Sequence, residues 1–306
     1  MYTFIVNRHS RSGLGGKVWN ELERILQERT VPYQVYFTEY QRHATALANK
    51  ITSDGEEHTI IALGGDGTVN EVVNGIVDLD KVIFGYIPVG SGNDFARGLF
   101  LPTTPSDALD VVLSCKATHP INIATIAYGN RIRRFAVSAG MGYDAAICHE
   151  VVVSKVKQFL NRIKLGKLTY VFVALHRLFA AKLDDMTLIL DNNKEVSFSK
   201  TYFVAFMNNP YEGGGVKFAP DAKNDDDLLD IIVAAGIPKW KILRILPTTY
   251  SGKHTRFKGV HMFTAKQIEV RSKRPLELHT DGEPIYLHRN ATVGLEDKKL
   301  KIIVSN

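Results

Sequence analysis

The 306-residue sequence has only two cysteines and no long uninterrupted apolar run. Two cysteines are too few for a disulfide framework, and the ten histidines do not follow the spacing of a metal site. A membrane-spanning helix needs about 20 mostly apolar residues, so we expect no transmembrane segment. No basic leader precedes the first apolar residues, and a secretory signal is not expected. We therefore expect a cytoplasmic protein.

Acidic residues are missing from one long stretch, although the net charge of the whole chain is only +6. Between Glu150 and Asp184 every charged residue is a lysine or arginine, and leucine, isoleucine and phenylalanine lie among them. A basic and apolar helix suits the surface of an anionic membrane. A helix that packs its apolar side inward explains residues 151–183 equally well. We expect peripheral association with the membrane and no nucleic-acid partner.

The order of apolar segments divides the chain into two parts, which we place at residues 1–122 and 123–292. Alternating strands and helices in the first predict an α/β domain with a parallel sheet. More numerous, alternating strands in the second predict a mostly antiparallel β-sandwich domain. The predicted early strands are 2–7, 31–38, 59–63 and 82–89, with helices 16–29, 43–53, 68–76 and 106–114. The predicted later strands are 133–139, 186–191, 200–208, 228–234, 266–271, 276–280, 291–295 and 301–304, with helices within 145–183 and 239–249.

Residues 64–68, Gly-Gly-Asp-Gly-Thr, follow an apolar strand and open a predicted helix. The glycines let the backbone approach a ligand with free N–H groups, and the helix start adds partial positive charge that suits phosphate. Asp66 would repel a phosphate unless a cation lay between them. The loop therefore predicts a phosphate site with a divalent metal, for which Mg²⁺ fits best. The alternative is a tight turn with Asp66 as an ordinary turn residue.

A second loop of the same design, Gly90-Ser91-Gly92-Asn93-Asp94, follows the strand 82–89. Ligands of open parallel sheets bind at the carboxyl ends of the strands. If the two strands are neighbours, both loops face one crevice. The Walker pattern fails near Gly16-Lys17, and the dinucleotide fingerprint fails at both loops. A relaxed fingerprint match at 140–145 lies in the β-rich half, where we attribute it to chance.

Four motifs occur in order along the chain: Gly64–Thr68, Gly90–Arg97, Gly140–Asp144 and Asp281–Pro284. Together they resemble the diacylglycerol kinase catalytic-domain family, in particular the soluble bacterial lipid kinases related to diacylglycerol and sphingosine kinases. The resemblance covers almost the whole chain. It implies an N-terminal nucleotide domain, a C-terminal β-sandwich, and ATP with Mg²⁺ in the cleft between them. It also implies that residues 293–306 return to complete the first domain.

The resemblance implies roles for individual residues. Glu283 would be the general base that takes the proton from a lipid hydroxyl, although Asp-Gly-Glu-Pro is also good turn chemistry. The catalytic and metal-organising carboxylates would be Asp66, Asp94 and Asp144. The nucleotide would be held by Asn7, Thr38, Gly64, Gly65, Gly67, Thr68, Gly90, Ser91, Gly92 and Asn93.

The sequence departs from the family pattern at Asp225–Asp227, where Asp227 replaces a glycine. Some relatives bind a second, structural metal in this region, and Asp226 is the candidate ligand here. A solvated turn is the alternative that we favour. The nearby Gly213–Gly215 indicates a flexible loop at the lipid entrance.

These observations predict an ATP- and Mg²⁺-dependent kinase that phosphorylates a lipid hydroxyl at the membrane surface, with diacylglycerol as the first choice. Phosphatidylglycerol, a sphingoid base or another lipid alcohol is an alternative acceptor. Two competing hypotheses are a kinase of a soluble substrate, of the NAD kinase type, and a non-catalytic regulator with a degraded site. Exposed edges of the β domain would permit a homodimer.

Overall fold

The computed structural model describes residues 1–153, 178 and 183–305, so most of the segment expected to contact the membrane lies outside the described residues. The strands are β1 (Tyr2–Val6), β2 (Tyr33–Phe37), β3 (His58–Gly64), β4 (Val82–Pro88), β5 (Ala117–Ile121), β6 (Ala124–Tyr128), β7 (Arg131–Phe135), β8 (Ser138–Gly142), β9 (Asp184–Leu190), β10 (Lys194–Met207), β11 (Leu229–Ala235), β12 (Val260–Ala265), β13 (Ile268–Thr280), β14 (Glu283–Leu295) and β15 (Leu300–Val304). The described helices are α1 (Ser10–Glu28), α2 (His43–Thr52), α3 (Asp66–Gly75), α4 (Asp94–Gly98), α5 (Pro105–Ser114), α6 (Tyr143–Val153) and α7 (Lys239–Ile245). Three 3₁₀ turns span Leu79–Lys81, Leu246–Ser251 and Lys253–Arg256.

Six strands form the first sheet, in the order β2-β1-β3-β4-β15-β5. All neighbours in it are parallel except β15 and β5. Its strands are apolar on both faces, because Phe4 packs into one core with Trp19 of α1 while Ile5 packs into the other with Val72 of α3. Each fully buried side chain of this kind contributes roughly 1.5–3 kcal/mol. The predicted parallel sheet between two helical layers is confirmed.

Among the described residues, the second sheet contains nine antiparallel strands, in the order β12-β11-β10-β8-β13-β14-β6-β7, with β9 pairing both β10 and β13. Its buried face carries a separate core that includes Phe135, Phe206 and Leu278. The predicted antiparallel β domain is therefore confirmed. The chain then returns, since β15 lies between β4 and β5 in the first sheet.

Two features of the second domain differ from the predicted strands. The predicted strand 133–139 is interrupted, because the Asp281 carboxylate accepts the N–H groups of Ala136 and Val137 that a continuous ladder would use. The predicted pair 266–271 and 276–280 is instead one strand, β13, with an irregular register between Arg271 and Leu276. Side chains from elsewhere in the fold thus decide where these strands break.

The first helix also begins earlier than predicted, at Ser10 instead of residue 16. Arg11, Ser12 and Gly13 have positive φ angles, so this start is kinked and has no regular helical periodicity to read. Within the part of the chain that the structure describes, no helix is both long and apolar enough to cross a membrane.

Candidate active site

The two glycine loops meet at the carboxyl edge of the first sheet. The strands β3 and β4 are parallel neighbours, with Gly64 opposite Pro88, so the expectation that both loops face one place is confirmed. The backbones touch, because a Cβ on Gly90 would lie 2.7 Å from the Cα of Gly65 and 2.6 Å from Oδ1 of Asn93. A side chain at residue 90 has no room, and glycine is therefore required there.

The carboxylates of Asp66 and Asp94 both lie close to Gly92. A Cβ on Gly92 would be 3.2 Å from Oδ2 of Asp66 and 3.4 Å from Oδ2 of Asp94. Asp66 begins α3 and accepts the N–H of Phe95 through Oδ1, at 3.1 Å. This bond ties the start of α3 to the start of α4. Both predicted carboxylates therefore belong to one site, next to the loop backbone that would approach a phosphate.

The carboxyl groups of Asp66 and Asp94 resist ionisation. Burial, followed by the charge of Asp94, raises the pKa of Asp66 to about 6. Burial also raises the pKa of Asp94, although the N–H groups of Gly214 and Gly215 and the charge of Arg97 act in the opposite direction. A divalent cation would relieve the repulsion and favour the ionised forms. The donor set therefore fits Mg²⁺, which commonly uses one or two carboxylates plus substrate phosphates.

The second domain reaches this site through the loop between β10 and β11. Gly214 and Gly215 donate their N–H groups to Oδ2 and Oδ1 of Asp94, at 2.7 and 2.8 Å. Both glycines have positive φ angles, +85° and +102°. Asn209 in the same loop donates its side-chain N–H to the backbone carbonyl of Asp94. The loop expected from the sequence to be flexible thus contacts a site carboxylate in a defined conformation.

A second acidic group lies in the β domain, where Asp144 of α6 and Glu212 share one imidazole. Nε2 of His279 is 3.3 Å from Oδ2 of Asp144 and 3.3 Å from Oε1 of Glu212. The ring is fully buried. A Cβ on Gly140 would overlap the Asp144 carboxylate, which gives a physical reason for glycine in the Gly-x-Gly-x-Asp motif. Sequence reasoning found Asp144 but missed the other two residues of the group.

Among the described residues, Asp144, Glu212 and His279 form the one set of three ligand side chains close enough to share a metal ion. The N–H of Gly282, however, points to Nδ1 of His279 at 3.3 Å, so the neutral ring carries its hydrogen on Nε2, between the carboxylates. Burial opposes protonation of the ring, yet the charges of Glu212 and Asp144 raise its pKa. Burial also raises the pKa of Glu212. These effects favour a hydrogen-bonded cluster with a proton on Nε2, where a metal would have to bind.

Only one oxygen of the Asp144 carboxylate contacts His279. Its Oδ1 atom is buried and has no hydrogen-bond partner among the described residues. A buried, unpaired carboxylate oxygen is costly, so a ligand or water at this atom would be favourable. The metal-organising role of Asp144 stays a prediction, and Oδ1 is the atom that could perform it.

Glu283 approaches the first glycine loop from the other domain. It is the first residue of β14, and a Cβ on Gly67 would lie 3.1 Å from its Oε1 atom. The preceding Asp281 accepts the N–H groups of Val137 and Ser138 and the side-chain amide of Asn70. Since Asn70 belongs to α3, this carboxylate joins the turn before Glu283 to the helix that follows the glycine loop. Sequence reasoning assigned no role to Asp281 or Asn70.

The remaining predicted residues divide into two groups. Asn7 donates its side-chain N–H to Oγ1 of Thr68, and Thr38 donates its backbone N–H to Val6, so both lie at the carboxyl edge of the first sheet. Asp226 lies elsewhere: it accepts the N–H of Leu228 in a local turn. Its neighbours are paired, Asp225 with His119 and Asp227 with Lys299. This geometry agrees with a solvated turn, and the structural metal stays a prediction.

Comparisons with known proteins agree with this geometry. The diacylglycerol kinase catalytic domain matches residues 1–126, and the YegS C-terminal NAD kinase beta sandwich-like domain matches residues 137–303. The Bacillus subtilis protein named "Putative lipid kinase YtlR" is 30% identical over 288 residues, covering 92% of each chain. The diacylglycerol kinase of Staphylococcus saprophyticus is 29% identical over 249 residues, 81% of this chain and 77% of that one.

A crystal structure titled as a putative diacylglycerol kinase from Bacillus anthracis shares the fold, with a TM-score of 0.78 over 99% of this chain and 95% of that chain, at 24% identity. A glycine-rich loop at the edge of a parallel sheet, joined to an antiparallel β domain, is the architecture of this chain, and the family matches make it a lipid kinase. The chain belongs to the diacylglycerol kinase catalytic-domain family.

Proposed function

We propose that this lipid kinase transfers the γ-phosphate of ATP to the hydroxyl of diacylglycerol, with Mg²⁺ as its metal, to give phosphatidic acid. The family supports a phosphate donor and a lipid acceptor, and one of the similar proteins is named diacylglycerol kinase. A single observation carries the proposal. The Glu283 carboxylate of one domain lies against the Gly64–Thr68 loop of the other, since a Cβ on Gly67 would be 3.1 Å from its Oε1 atom.

Phosphoryl transfer depends mainly on positioning and charge neutralisation. The backbone of the two glycine loops and the start of α3 would hold the phosphates, with Thr68 fixed by its bond to Asn7. Asp66 and Asp94 would hold Mg²⁺, which when bound neutralises charge on the phosphate oxygens. The raised pKa values of the two carboxylates support this assignment, because a cation between them would relieve their repulsion and favour the ionised forms.

Glu283 would act as the general base in the transfer. Its carboxylate would accept the proton of the acceptor hydroxyl while that oxygen forms a bond to the γ-phosphorus. The bond from phosphorus to the bridging oxygen breaks, and ADP leaves with those electrons. A placed base of this kind contributes about 10²- to 10⁴-fold in rate. The hydrogen bonds that Asp281 accepts beneath the turn would hold Glu283 in position.

The proposal is tested by following labelled γ-phosphate from ATP into a panel of lipid alcohols in mixed micelles. Diacylglycerol, phosphatidylglycerol and a sphingoid base should be compared with NAD as a soluble acceptor. We expect labelled phosphatidic acid to be the main product, and its formation to require Mg²⁺. If another lipid is labelled instead, that lipid and not diacylglycerol is the acceptor. Labelling of NAD alone would overturn the proposed reaction.

A further inference from the structure

We propose that α7 and the two 3₁₀ turns after it form a docking surface for an anionic lipid bilayer. We call this surface, residues 238–258, the α7 surface. It lies on the second domain, apart from residues 151–183, and it rests on the proposed function only in that a lipid kinase must reach its acceptor. Its evidence is independent of the catalytic carboxylates.

The α7 surface is built from exposed apolar side chains. Trp240 is 55% exposed, and Leu243 on the next turn of the helix is also exposed. Ile245 instead points inward, into a cluster with Tyr202 and Ile237. One side of the helix therefore packs against the domain, and the other side exposes Trp240 and Leu243. The turns that follow add two more exposed aromatic residues, Tyr250 and Phe257.

The charge of this region has one sign. From Ile231 to Ile268 the sequence contains no acidic residue. The guanidinium of Arg244 and the ammonium of Lys241 lie 5.2 and 5.7 Å from the Trp240 ring, so cations border the apolar face. The exposed basic residues of the α7 surface are Lys241, Arg244, Lys253, Arg256 and Lys258.

Exposed aromatic and leucine side chains bordered by cations favour an anionic bilayer as the partner of the α7 surface. Tryptophan and tyrosine favour the boundary between lipid headgroups and acyl chains, where one end of the ring is wet and the other is apolar. Leucine gains by leaving water for that boundary, and cations beside it attract anionic headgroups. A polyanion such as nucleic acid would satisfy the cations but would leave Leu243 in water.

The α7 surface is connected to the active site. The carbonyl of Thr249 accepts the N–H of Lys217, and Gly252 packs against Pro220. These contacts join the turns to the loop that carries Gly214 and Gly215, which donate to Asp94. Docking through the α7 surface would therefore place that loop, and the site it contacts, close to the lipid phase.

The two tryptophans make the proposal directly measurable. Trp19 is fully buried in the first domain, so a change in emission on adding vesicles reports Trp240. With vesicles of phosphatidylglycerol and phosphatidylcholine we expect a blue shift that weakens as salt rises. Phosphatidylcholine vesicles alone should give much weaker binding. The variant Trp240→Phe should lose the shift.

Matched double variants distinguish binding through the α7 surface from nonspecific binding of the protein to vesicles. Leu243→Ser with Arg244→Gln removes one exposed apolar residue and one cation, and should weaken vesicle binding at least about 10-fold. Arg131→Gln with Ile132→Ser makes the same chemical change on β7, at the opposite edge of the second sheet, and should leave binding unchanged. Unaltered thermal unfolding would show that each variant is folded.

Several results would overturn the proposal. They are no blue shift with anionic vesicles, equal weakening by both double variants, an equal shift with an oligonucleotide, and a shift that grows with protein concentration without vesicles. The last would indicate a second copy of the chain. Phosphorylation of a short-chain diacylglycerol in nonionic micelles tests the function separately. If product forms but the emission does not shift, the α7 surface is rejected and the proposed reaction stands. If the emission shifts but no product forms, the proposed reaction is rejected and the α7 surface stands.

Discussion

Two pairs of carboxylates lie near the junction of the domains, and they are neutralised differently. Asp66 and Asp94 receive backbone N–H groups, with Arg97 at 3.8 Å from Asp94 as a nearby cation. Asp144 and Glu212 instead share the buried imidazole of His279. Each pair has one buried and one half-buried carboxylate, so composition and burial alone would treat the pairs alike.

The difference lies in what each pair still needs. The first pair keeps a raised pKa at Asp66 despite its hydrogen bonds, which leaves a demand for positive charge from a ligand. The second pair also has a raised pKa, at Glu212, and an unpaired oxygen on Asp144, but it already holds a proton donor between its carboxylates. A cation between those carboxylates would have to displace that hydrogen, so we expect the cation at the first pair. The hydrogen-bond partners of an acidic cluster therefore say more about its role than the number of its carboxylates.

The largest predicted effect concerns Glu283, which approaches the first glycine loop from the other domain. Glu283→Gln should lower kcat for lipid phosphorylation about 10²- to 10⁴-fold, because it removes the base but keeps the shape of the side chain. Steady-state kinetics should show little change in the KM for ATP. The matched variant Glu269→Gln, at an exposed ion pair with Arg271, should retain activity. Near-normal kcat for Glu283→Gln would remove the proposed role.

His279→Ala tests the internally neutralised pair. The substitution leaves two buried carboxylates without their shared donor, and such a loss costs about 3–5 kcal/mol in the free energy of unfolding. Those carboxylates raise the pKa of His279, so the fold stabilises the charged ring, in which Nδ1 also carries a hydrogen and no longer accepts from Gly282. This stabilisation is fully present below the ordinary pKa of 6.5 and is lost as the pH rises through the raised value.

Denaturant unfolding across pH measures this contribution. The parent should lose stability at alkaline pH, and His279→Ala should lack that loss. A double variant, His279→Ala with Glu212→Gln, should recover part of the stability, since one unpaired charge is gone. A variant His279→Ala as stable as the parent would contradict the shared-donor cluster.

Asp66→Asn tests the pair that demands a cation. A folded-state pKa of about 6 lies above the ordinary value of 3.8, so the folded chain binds the proton more tightly than the unfolded chain. Without metal, stability should therefore fall by about 3 kcal/mol as the pH rises from about 4 to above 6. Asp66→Asn should lack this fall.

Thermal unfolding with and without Mg²⁺ and ATP completes that test. Ligand at 100 times its Kd should stabilise the parent by about 2.7 kcal/mol. Asp66→Asn should gain much less. Equal stabilisation of both chains would show that Asp66 does not take part in binding.

The smallest expected effect is at Asp226, outside both groups. Its carboxylate accepts one backbone N–H in an exposed turn, so Asp226→Asn should change the free energy of unfolding by less than about 0.5 kcal/mol. Chelation should not change the stability of this region. A large loss on either treatment would support the structural metal that the sequence suggested.

The sequence predicted those parts of the site that local patterns determine. A strand that ends in Gly-Gly-Asp-Gly specifies its own turn, and the second loop repeats the design, so these two segments alone identify Asp66 and Asp94. Glu283 is different, because its motif is also good turn chemistry and its proposed role came from the resemblance that the four motifs carry together. Each of these residues lies within a short segment whose spacing carries the information.

The missed residues depend on contacts between distant segments. His279 and Glu212 are far apart in the sequence and belong to no recognisable pattern. The triple glycine after Glu212 was the available signal, because positive φ angles there indicate a shaped loop. Asp281 was hidden in the same way, since its role is visible only once its carboxylate meets the N–H groups of Ala136 and Val137.

Binding of Mn²⁺, in place of Mg²⁺, with ATP tests the contrast between the two pairs most directly. Electron paramagnetic resonance should detect bound Mn²⁺ in the parent and in Glu212→Gln, and a strong loss in Asp66→Asn. That result would assign the cation to the edge of the first sheet. Loss of bound Mn²⁺ in Glu212→Gln with retention in Asp66→Asn would contradict the account.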